Sequence, residues 1–354
     1  MRIVQLLSTI AFGDAVGNDT IAIRHLLEEM GYDTDIYAQN IDPRLKKGTA
    51  KKISHLPKLN KKDIILYHMS TGTDLNYHVA DYPGRKIMVY HNITPCEYFY
   101  GYSRANYDLT YLGREELKFL KDKVERCFAD SEFNKADLLE TGYQCPIDIL
   151  PIIVPFDDYK KAPNEEILKQ YDDDWVNILF VGRIAPNKKH EDIIRAFAYY
   201  KTYINQKSRL FLVGSYSGTE AYYRQLQHYV NKLGISDVIF TGHTKFDQIL
   251  AYYKMADVFL CMSEHEGFCV PLLEAMYFNV PIIAYKAAAI PDTMGNSGIV
   301  IDEKDPAFTA KLIERLLTDA DFRQAVISGQ QSRLKDFSYE RTKETFKKLI
   351  AGCI

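Results

Sequence analysis

Short runs of apolar residues alternate along the chain with stretches whose apolar positions repeat every three or four residues. The short runs are typical of buried parallel strands, and the periodic stretches are typical of amphipathic helices. The chain opens with a run at 2–8, followed by a helical pattern over 18–30 that Gly31 ends. Further strands are predicted at 34–38, 63–68, 86–91, 126–129 and 147–153 in the first half, and at 176–181, 209–213, 238–241, 258–262, 281–285 and 298–301 in the second. This alternation predicts an α/β fold with two doubly wound parallel sheets and right-handed crossovers.

The periodicity breaks after Pro155, where a charged stretch with two nearby prolines begins. The chain has 354 residues, which is too long for one ordinary α/β core. We therefore predict a Rossmann-like domain over 1–156, a linker over 157–175 and a second Rossmann-like domain over 176–336. The remaining segment, 337–354, contains one more helix, at about 339–349.

Polar residues follow the strands where such a sheet would bind a ligand. In a doubly wound sheet of order 3-2-1-4-5-6, ligands bind beyond the carboxyl ends of strands one and four. In the second half these ends carry the segments 182–188 and 263–267. In the first half they carry 12–18 and 91–95, because we count 86–91 as the fourth strand. The four segments are therefore the candidate site.

Two glutamates bracket the start of a helix in the stretch 256–281. Glu266 lies in the loop after the strand 258–262, and Glu274 lies about one turn inside the helix that Pro271 is expected to begin. The free amides of a first helical turn bind oxygen atoms of anions. Glu274 would accept from a ribose diol and Glu266 from sugar hydroxyls, while the amides of Gly267, Phe268, Cys269 and Val270 would face a sugar or a phosphate. The alternative is a solvated helix start, where acids are favourable in any case.

Basic and small residues complete the candidate site. Arg183 and Lys188 follow the strand 176–181 and would grip a diphosphate, one with planar geometry and the other as a point charge. The alternative is a pair of solvated cations. The Gly13 loop permits a close approach to phosphate, whereas Asp14 would suit an acceptor contact or a helix cap better. His91 ends an apolar strand, where a structural role is the alternative, and His68 is a weaker candidate.

Three strings carry a resemblance to a known family. E-G-F-C-V-P-L-L-E-A after A-D-V-F-L, together with V-G-R-I-A-P-N-K and H-N-I-T-P, resembles the retaining family 4 glycosyltransferases of the GT-B fold, of the mannosyltransferase-like bacterial polysaccharide or glycolipid type. The resemblance implies transfer of a sugar from a nucleotide diphosphate donor to a hydroxyl of a glycan or lipid-linked acceptor. It assigns His91, Glu266, Arg183 and Lys188 to catalysis, with His91 and Glu266 near the transferred sugar. It assigns donor binding to Gly13, Asp14, Arg183, Lys188, Glu266, Gly267, Phe268, Cys269, Val270 and Glu274. It also implies that the last helix packs on the first domain.

The composition and charge of the chain limit the kinds of partner that the protein is expected to bind. A net charge of −3 argues against a general nucleic-acid binder, and no apolar run reaches the length of a membrane span. Six cysteines without C-x-x-C spacing are typical of reduced, cytoplasmic thiols. The segment 44–62 has eight Lys or Arg and no acid, so it is either a solvated loop or a peripheral contact with anionic membrane. We expect no cofactor and no metal, because the D-x-D at 172–174 precedes a strand instead of following one.

Two other functions remain open at this stage. A nucleotide-sugar epimerase of the same architecture would need Arg183 and a ribose site but no acceptor. A non-catalytic nucleotide-sugar-binding protein would leave the donor intact. Neither base, sugar, linkage nor acceptor is identified by the sequence.

Overall fold

The computed structural model describes all 354 residues and divides into two units, each built on one parallel sheet. The first unit comprises Met1–Cys96, Asn106–Pro155 and Phe337–Ile354. The second comprises Glu97–Ala105 and Phe156–Asp336. The fold is therefore the predicted pair of doubly wound α/β sheets.

Thirteen strands and thirteen α-helices follow one another along the chain. The strands are β1 (Arg2–Ile10), β2 (Asp33–Ile41), β3 (Lys51–Lys52), β4 (Ile64–Met69), β5 (Arg85–Tyr90), β6 (Arg126–Ala129), β7 (Ile147–Ile149), β8 (Val176–Val181), β9 (Ser208–Val213), β10 (Val238–Gly242), β11 (Val258–Cys261), β12 (Ile282–Tyr285) and β13 (Ile299–Ile301). The helices are α1 (Ala15–Glu29), α2 (Leu75–Asp81), α3 (Arg104–Leu120), α4 (Glu132–Thr141), α5 (Glu165–Gln170), α6 (His190–Tyr203), α7 (Glu220–Leu233), α8 (Phe246–Met255), α9 (Val270–Tyr277), α10 (Ile290–Met294), α11 (Pro306–Thr318), α12 (Ala320–Leu334) and α13 (Tyr339–Ala351).

The second sheet has the order β10-β9-β8-β11-β12-β13, which is the predicted 3-2-1-4-5-6 arrangement. The first sheet has seven strands in the order β3-β2-β1-β4-β5-β6-β7. The extra strand, β3, is two exposed lysines at the sheet edge, and its sequence shows no apolar pattern. Because β3 takes the third position of the 3-2-1-4 order, β4 becomes the fourth strand. The strand beside β1 is therefore β4 and not β5. Our placement of His91 at the end of the fourth strand is therefore wrong by one strand, and His68 lies on the strand that flanks β1.

Apolar residues cover both faces of the first sheet, as expected for strands buried on two sides. One face packs Val4, Leu6 and Tyr67 with residues of α2 to α4. The other packs Ile3 and Ile64 with α1 and with the fully buried Phe346 and Ile350 of α13. The last helix of the chain is thus part of the core of the first unit.

The unit boundaries differ from the sequence-based ones at two segments. Glu97–Ala105 groups with the second unit, although it lies within the predicted first domain. Residues 157–175, predicted to be a linker, group with the second unit and contain most of a short 3₁₀ turn, Phe156–Lys160, and the helix α5, and Tyr159 is buried. No helix in the structure is both long enough and apolar enough to cross a bilayer.

Candidate active site

The two loops after β8 and β11 lie side by side, because these strands are neighbours in the second sheet. Asn187 ties the loops together. Its Nδ2 donates to the carbonyl of His265 over 3.0 Å, and its own carbonyl accepts from the amide of Glu264 over 2.9 Å. The side chain of Asn187 is buried, so these bonds are shielded from water. The loop that carries Glu266 is therefore held in place by the loop that carries Lys188.

Lys188 and Glu266 form an ion pair between these two loops. The Glu266 side chain is 8% exposed and that of Lys188 is 20% exposed. Burial acts to lower the pKa of Lys188, but the neighbouring Glu266 carboxylate outweighs it, so the pKa is raised. The pair therefore places a fixed ammonium beside a fixed carboxylate at the carboxyl edge of the sheet.

Glu274 lies on α9 and accepts hydrogen bonds from two tyrosines. The hydroxyl of Tyr159 donates to Oε1 over 2.7 Å, and the hydroxyl of Tyr253 donates to Oε2 over 2.6 Å. Burial raises the pKa of Glu274, and the two tyrosine hydrogen bonds act in the opposite direction. Each carboxylate oxygen has two lone pairs, so each can still accept a second donor from a ligand.

The start of α9 is the third part of the site. Cys269 precedes the helix in the left-handed conformation with φ of 71°, provides no side-chain cap, and is followed by a proline in the first turn. The loop before the helix is held by Thr293, whose hydroxyl donates to the carbonyl of Phe268, and by the amide of Ala289, which donates to the carbonyl of Glu266 over 3.3 Å. The segment 267–270, which the sequence predicts to face a ligand, thus forms the loop and the first residue of α9.

Arg183 lies on the exposed side of the loop after β8, where its guanidinium donates to the carbonyl of Ser217 over 3.1 Å. Arg183 forms no hydrogen bond or ion pair with Lys188 or Glu266. The loop turns close to the end of β9 at Gly214, where a Cβ atom would lie 2.0 Å from the carbonyl oxygen of Gly182. Only glycine fits there, and this close approach sets the path of the chain toward Arg183.

The Gly13 loop belongs to the first unit and precedes α1. Gly13 has φ of 73°, in the left-handed region that glycine adopts without strain. Asp14 is the N-cap of α1, and its Oδ2 accepts from the amide of Gly17 over 3.1 Å. The helix-cap alternative for Asp14 is therefore the arrangement present in the structure, and its contact with a donor stays a prediction.

His91 lies in a buried chain of polar groups within the first unit. Its Nδ1 is 2.9 Å from Oδ2 of Asp130, and its Nε2 is 2.9 Å from Nδ1 of His68. Nε2 of His68 in turn is 2.9 Å from Oε1 of Gln5. The His91 side chain is only 1% exposed and both of its ring nitrogens are occupied. A direct contact between His91 and a sugar therefore stays a prediction, and in this structure the ring is part of an internal network.

Hydrogen-bond donors and acceptors fix the proton positions in this network. The Gln5 amide nitrogen donates to the carbonyl of Thr20, so its Oε1 accepts from Nε2–H of His68. Nδ1 of His68 is then an acceptor, and Nε2–H of His91 donates to it. One proton remains between Nδ1 of His91 and Asp130, whose carboxylate outweighs burial and raises the pKa of His91. Burial lowers the pKa of His68, which is consistent with a neutral ring there.

Two groups of side chains are close enough to hold one metal ion each. The ligand atoms of Cys261, Glu266 and Cys269 lie within 4.8 Å of one another, as do those of Asp19, His68 and His91. In the first group Glu266 is already paired with Lys188, and in the second Asp19 accepts from the Ile153 amide while His68 and His91 belong to the chain from Gln5 to Asp130. A metal ion would have to displace these partners.

Two charged segments singled out in the sequence are held by ion pairs. Asp173 pairs with Arg209, and Asp174 pairs with Lys207 over 2.6 Å, so two acids of the D-x-D string are neutralised by cations. In the basic segment 44–62, Arg44 pairs with Asp42 over 2.7 Å and Lys51 pairs with Asp35. These ion pairs balance part of the positive charge of the segment within the first unit. The segment also contributes the edge strand β3.

The sequence does not predict the residues that hydrogen-bond the candidate site residues and fix their positions. Tyr159 and Tyr253 hold Glu274, Asp130 and His68 hold His91, and Asn187 joins the two loops. Asn187 lies within the predicted segment 182–188, but the string alone does not indicate its role. Tyr159 lies in the segment predicted to be a linker, and no local pattern distinguishes it from the other tyrosines among the 26 of the chain.

Comparisons with known proteins show which families and folds the chain resembles. The family described as glycosyl transferases group 1 matches residues 163–333. A D-inositol 3-phosphate glycosyltransferase from Acidothermus cellulolyticus is 31% identical over 174 residues, which are 47% of this chain and 39% of that protein. The chain thus spans less than half the length of that relative. The O-antigen chain mannosyltransferase B of Escherichia coli is 22% identical over 75% of this chain and 70% of its own length.

A solved structure has a similar fold over nearly the whole chain. HepE of Anabaena, solved in complex with UDP-glucose, has a TM-score of 0.78 and 16% identity, and the match covers 99% of this chain and 100% of that one. At this identity the likeness concerns the fold, which is GT-B. In its second half, at residues 163–333, the chain is similar to the family described as glycosyl transferases group 1.

Proposed function

We propose that the protein is a retaining glycosyltransferase that moves a sugar from a nucleotide diphosphate to a hydroxyl of a glycan or lipid-linked acceptor, in the synthesis of a surface polysaccharide or glycoconjugate. The observation that supports it best is the arrangement around α9. A carboxylate held by two tyrosines, the start of a helix and a Lys188–Glu266 pair meet at the switch point of one sheet. HepE, solved with UDP-glucose, supports a nucleotide-sugar donor, and the D-inositol 3-phosphate glycosyltransferase supports glycosyl transfer as the reaction.

Each part of the site matches one part of such a donor. The carboxylate of Glu274 accepts from the ribose diol, while its tyrosine partners fix its orientation. Lys188, Arg183 and the amides at the start of α9 neutralise the diphosphate. Glu266 accepts from hydroxyls of the transferred sugar. The Lys188–Glu266 ion pair keeps the groups that bind phosphate and sugar next to each other.

The groups around Glu266 argue against a double displacement, so we propose front-face substitution as the route to retention. Its carboxylate lies beside Lys188, Cys261 and Cys269, and none of these is a second carboxylate of the kind that a double displacement requires. In the proposed step the bond between the anomeric carbon and the phosphate oxygen breaks on the same face on which the bond to the acceptor oxygen forms. The acceptor proton passes to the departing phosphate oxygen. Arg183 and Lys188 stabilise the negative charge that develops on that leaving group.

We also propose that the reaction needs no divalent cation, because these two cations and the helix start already supply positive charge for the diphosphate. Activity in excess EDTA should remain within about threefold of the untreated protein, well below the tenfold that about 1.36 kcal/mol of barrier represents. The measurement is product formation before and after EDTA. Loss of activity that added Mn²⁺ or Mg²⁺ restores would contradict this proposal.

A donor panel tests the activity itself. The protein is incubated with UDP- and GDP-linked hexoses, with and without an extract of glycolipid acceptors, and free nucleoside diphosphate is measured. Release that depends on the acceptor, with the donor's anomeric configuration kept in the product by NMR, is the expected result. A modified free monosaccharide without acceptor would indicate the epimerase, and binding without turnover would indicate the non-catalytic nucleotide-sugar-binding protein. Glu266→Gln should abolish release, whereas Glu303→Gln, an exposed acid in the same unit, should not.

A further inference from the structure

A cleft of about 300 Å³ lies in the second unit, beside the loop that carries Glu266. One wall is the segment Glu97–Ala105, and the other is formed by the region around the start of α6 and by α7. The lining residues are Glu97, Tyr98, Tyr102, Pro186, Lys189, Glu191 and Tyr222. None of these residues is assigned to the donor, so the cleft has no role in the site described above.

Hydrogen bonds and ring contacts fix both walls of this cleft. The Tyr222 hydroxyl donates to Glu191 and accepts from the amide of His190 over 3.0 Å. The ring of Tyr102 packs edge-on against that of Tyr222, with 5.3 Å between centroids. Because these groups are positioned by their partners, little side-chain entropy would be lost when a ligand binds.

The cleft is also connected to the predicted sugar end of the donor site. Burial and the charge of the Glu264 carboxylate raise the pKa of Tyr98 to about 12, and the Tyr98 ring lies 6.3 Å from that of His265. Lys189 reaches the same carboxylate, with 3.2 Å between Nζ and Oε2, and lies 5.8 Å from the centre of the Tyr98 ring. Glu264 and His265 immediately precede Glu266 in the chain. A ligand in the cleft would therefore lie next to the loop that we propose binds the transferred sugar.

The lining indicates a carbohydrate. Tyrosine rings offer flat apolar faces for the C–H surface of a pyranose, and their hydroxyls add polar contacts at the ring edge. The carboxylates of Glu97 and Glu191 accept from sugar hydroxyls, and Lys189 donates to them. A phosphate or an acidic lipid headgroup would face two carboxylates and one lysine, which is unfavourable. The volume is at the lower end of that of small-molecule sites, which suits one sugar unit and not a long chain.

We propose that this cleft binds a sugar residue of the acceptor glycan, so that Glu97–Ala105 acts as an acceptor-specificity segment. This rests on the proposed function, because it assumes that the acceptor contains sugar. The proposal requires the acceptor to be a glycan, either free or linked to a lipid. It excludes an acceptor that contacts the protein near the reacting atoms only through a lipid tail.

Binding without donor tests the cleft separately from the transferase activity. The probes are methyl α-D-mannopyranoside, methyl α-D-glucopyranoside, methyl α-D-galactopyranoside and the methyl glycoside of N-acetylglucosamine. Their binding is measured by saturation-transfer NMR titration against wild-type protein, Tyr102→Ala and Glu97→Gln. The matched control is Tyr100→Ala, which lies on the same segment but is 78% exposed and does not line the cleft. UDP and GDP affinities are measured on every variant by calorimetry.

We expect at least one glycoside to bind, Tyr102→Ala and Glu97→Gln to weaken its binding at least about fivefold, and Tyr100→Ala to change it less than about twofold. Nucleoside diphosphate affinity should stay within about twofold in all variants. Absence of glycoside binding to protein that binds UDP or GDP would overturn the acceptor cleft alone. Equal effects of Tyr102→Ala and Tyr100→Ala would also overturn it. Failure to bind any nucleoside diphosphate, with glycoside binding intact, would instead count against the proposed donor site.

Discussion

The two glutamates Glu266 and Glu274 have different partners in the structure, and this difference separates their proposed roles. Glu266 is paired with the ammonium of Lys188, whereas Glu274 accepts from neutral tyrosine hydroxyls. A carboxylate with neutral partners has its full charge available to a ligand. Glu274 is therefore suited to accept strongly from a diol, while the charge of Glu266 is shared with Lys188.

Glu274→Gln removes that charge while keeping the size of the side chain. We expect UDP or GDP, whichever the wild-type protein binds, to bind about 1.5–3 kcal/mol more weakly, because a charge-assisted acceptor becomes a neutral one. The measurement is isothermal titration calorimetry, with thermal denaturation to show that the variant is folded. The control is Glu303→Gln, which should bind as wild type does. Unchanged affinity in a folded Glu274→Gln protein would remove Glu274 from the donor site.

Asp19 is a buried residue of the first unit whose protonation should affect stability. Its Oδ1 accepts from the amide of Ile153 over 2.8 Å. Burial raises its pKa from 3.8 to about 7. Between these values the folded state holds a proton that the unfolded state has lost, so the stability contributed by Asp19 falls as pH rises through this window.

Asp19→Asn keeps an oxygen for the Ile153 amide and removes the titration. We expect the variant to gain stability relative to wild type as pH rises from about 4 to about 7, and the difference to level off above that. Free energies of unfolding from urea denaturation at a series of pH values measure this. Wild-type and variant curves that run parallel across the window would show that Asp19 is not protonated in the folded state.

At the scale of elements, the ends of neighbouring strands decide where the functional loops run. β8 and β9 end next to Gly182 and Gly214, whose backbones approach too closely for any side chain at Gly214. The loop from Gly182 carries Arg183, Asn187 and Lys188. The path of this loop therefore depends on a contact between two glycines that follow different strands.

Gly214→Ala should push these strand ends apart. We expect a loss of about 1–3 kcal/mol in the free energy of unfolding beyond that of Gly234→Ala, because the new methyl group would overlap the Gly182 carbonyl. Gly234 is the matched control, since it also has positive φ but has open space where a methyl group would be added. Chemical denaturation measures both variants. Equal losses would show that the strand ends yield without cost.

At the scale of the whole molecule, each unit is completed by a segment that lies far from the rest of it in sequence. The helix α13 closes one face of the first sheet, and Glu97–Ala105 belongs to the second unit. Phe346 is fully buried in the first core, next to residues of β1, β4 and α1. The last helix therefore contributes buried apolar side chains to the core of a sheet that begins at residue 2, and we expect it to be required for the stability of that sheet.

Phe346→Ala tests this requirement. We expect a loss of about 3–5 kcal/mol of stability, the range for a large aromatic removed from a core. Phe308→Ala is the control, because Phe308 is 52% exposed and should change stability little. Both are measured by urea denaturation. A similar small loss in the two variants would mean that α13 contributes little to the first core.

The sequence by itself determined the two sheets, the strands of the second unit and the loops that carry Arg183, Lys188, Glu266 and Glu274. The strands are predicted by local apolar runs and turn residues, which act over a few neighbouring residues. The candidate loops then follow from the rule that doubly wound parallel sheets bind ligands at the carboxyl ends of their strands. The family strings added the expected chemistry to the same loops.

Only the tertiary structure decided which side chains hydrogen-bond the predicted site residues and hold them in position. The tyrosines of Glu274, the pairing of His91 with His68 and Asp130, and the position of β4 beside β1 all join residues far apart in the chain. A strand of two lysines shifted the switch point of the first sheet because its pairing with β2 comes from backbone hydrogen bonds and not from an apolar pattern. Such contacts are decided by which segments the fold brings together, and a pattern of neighbouring residues does not contain that information.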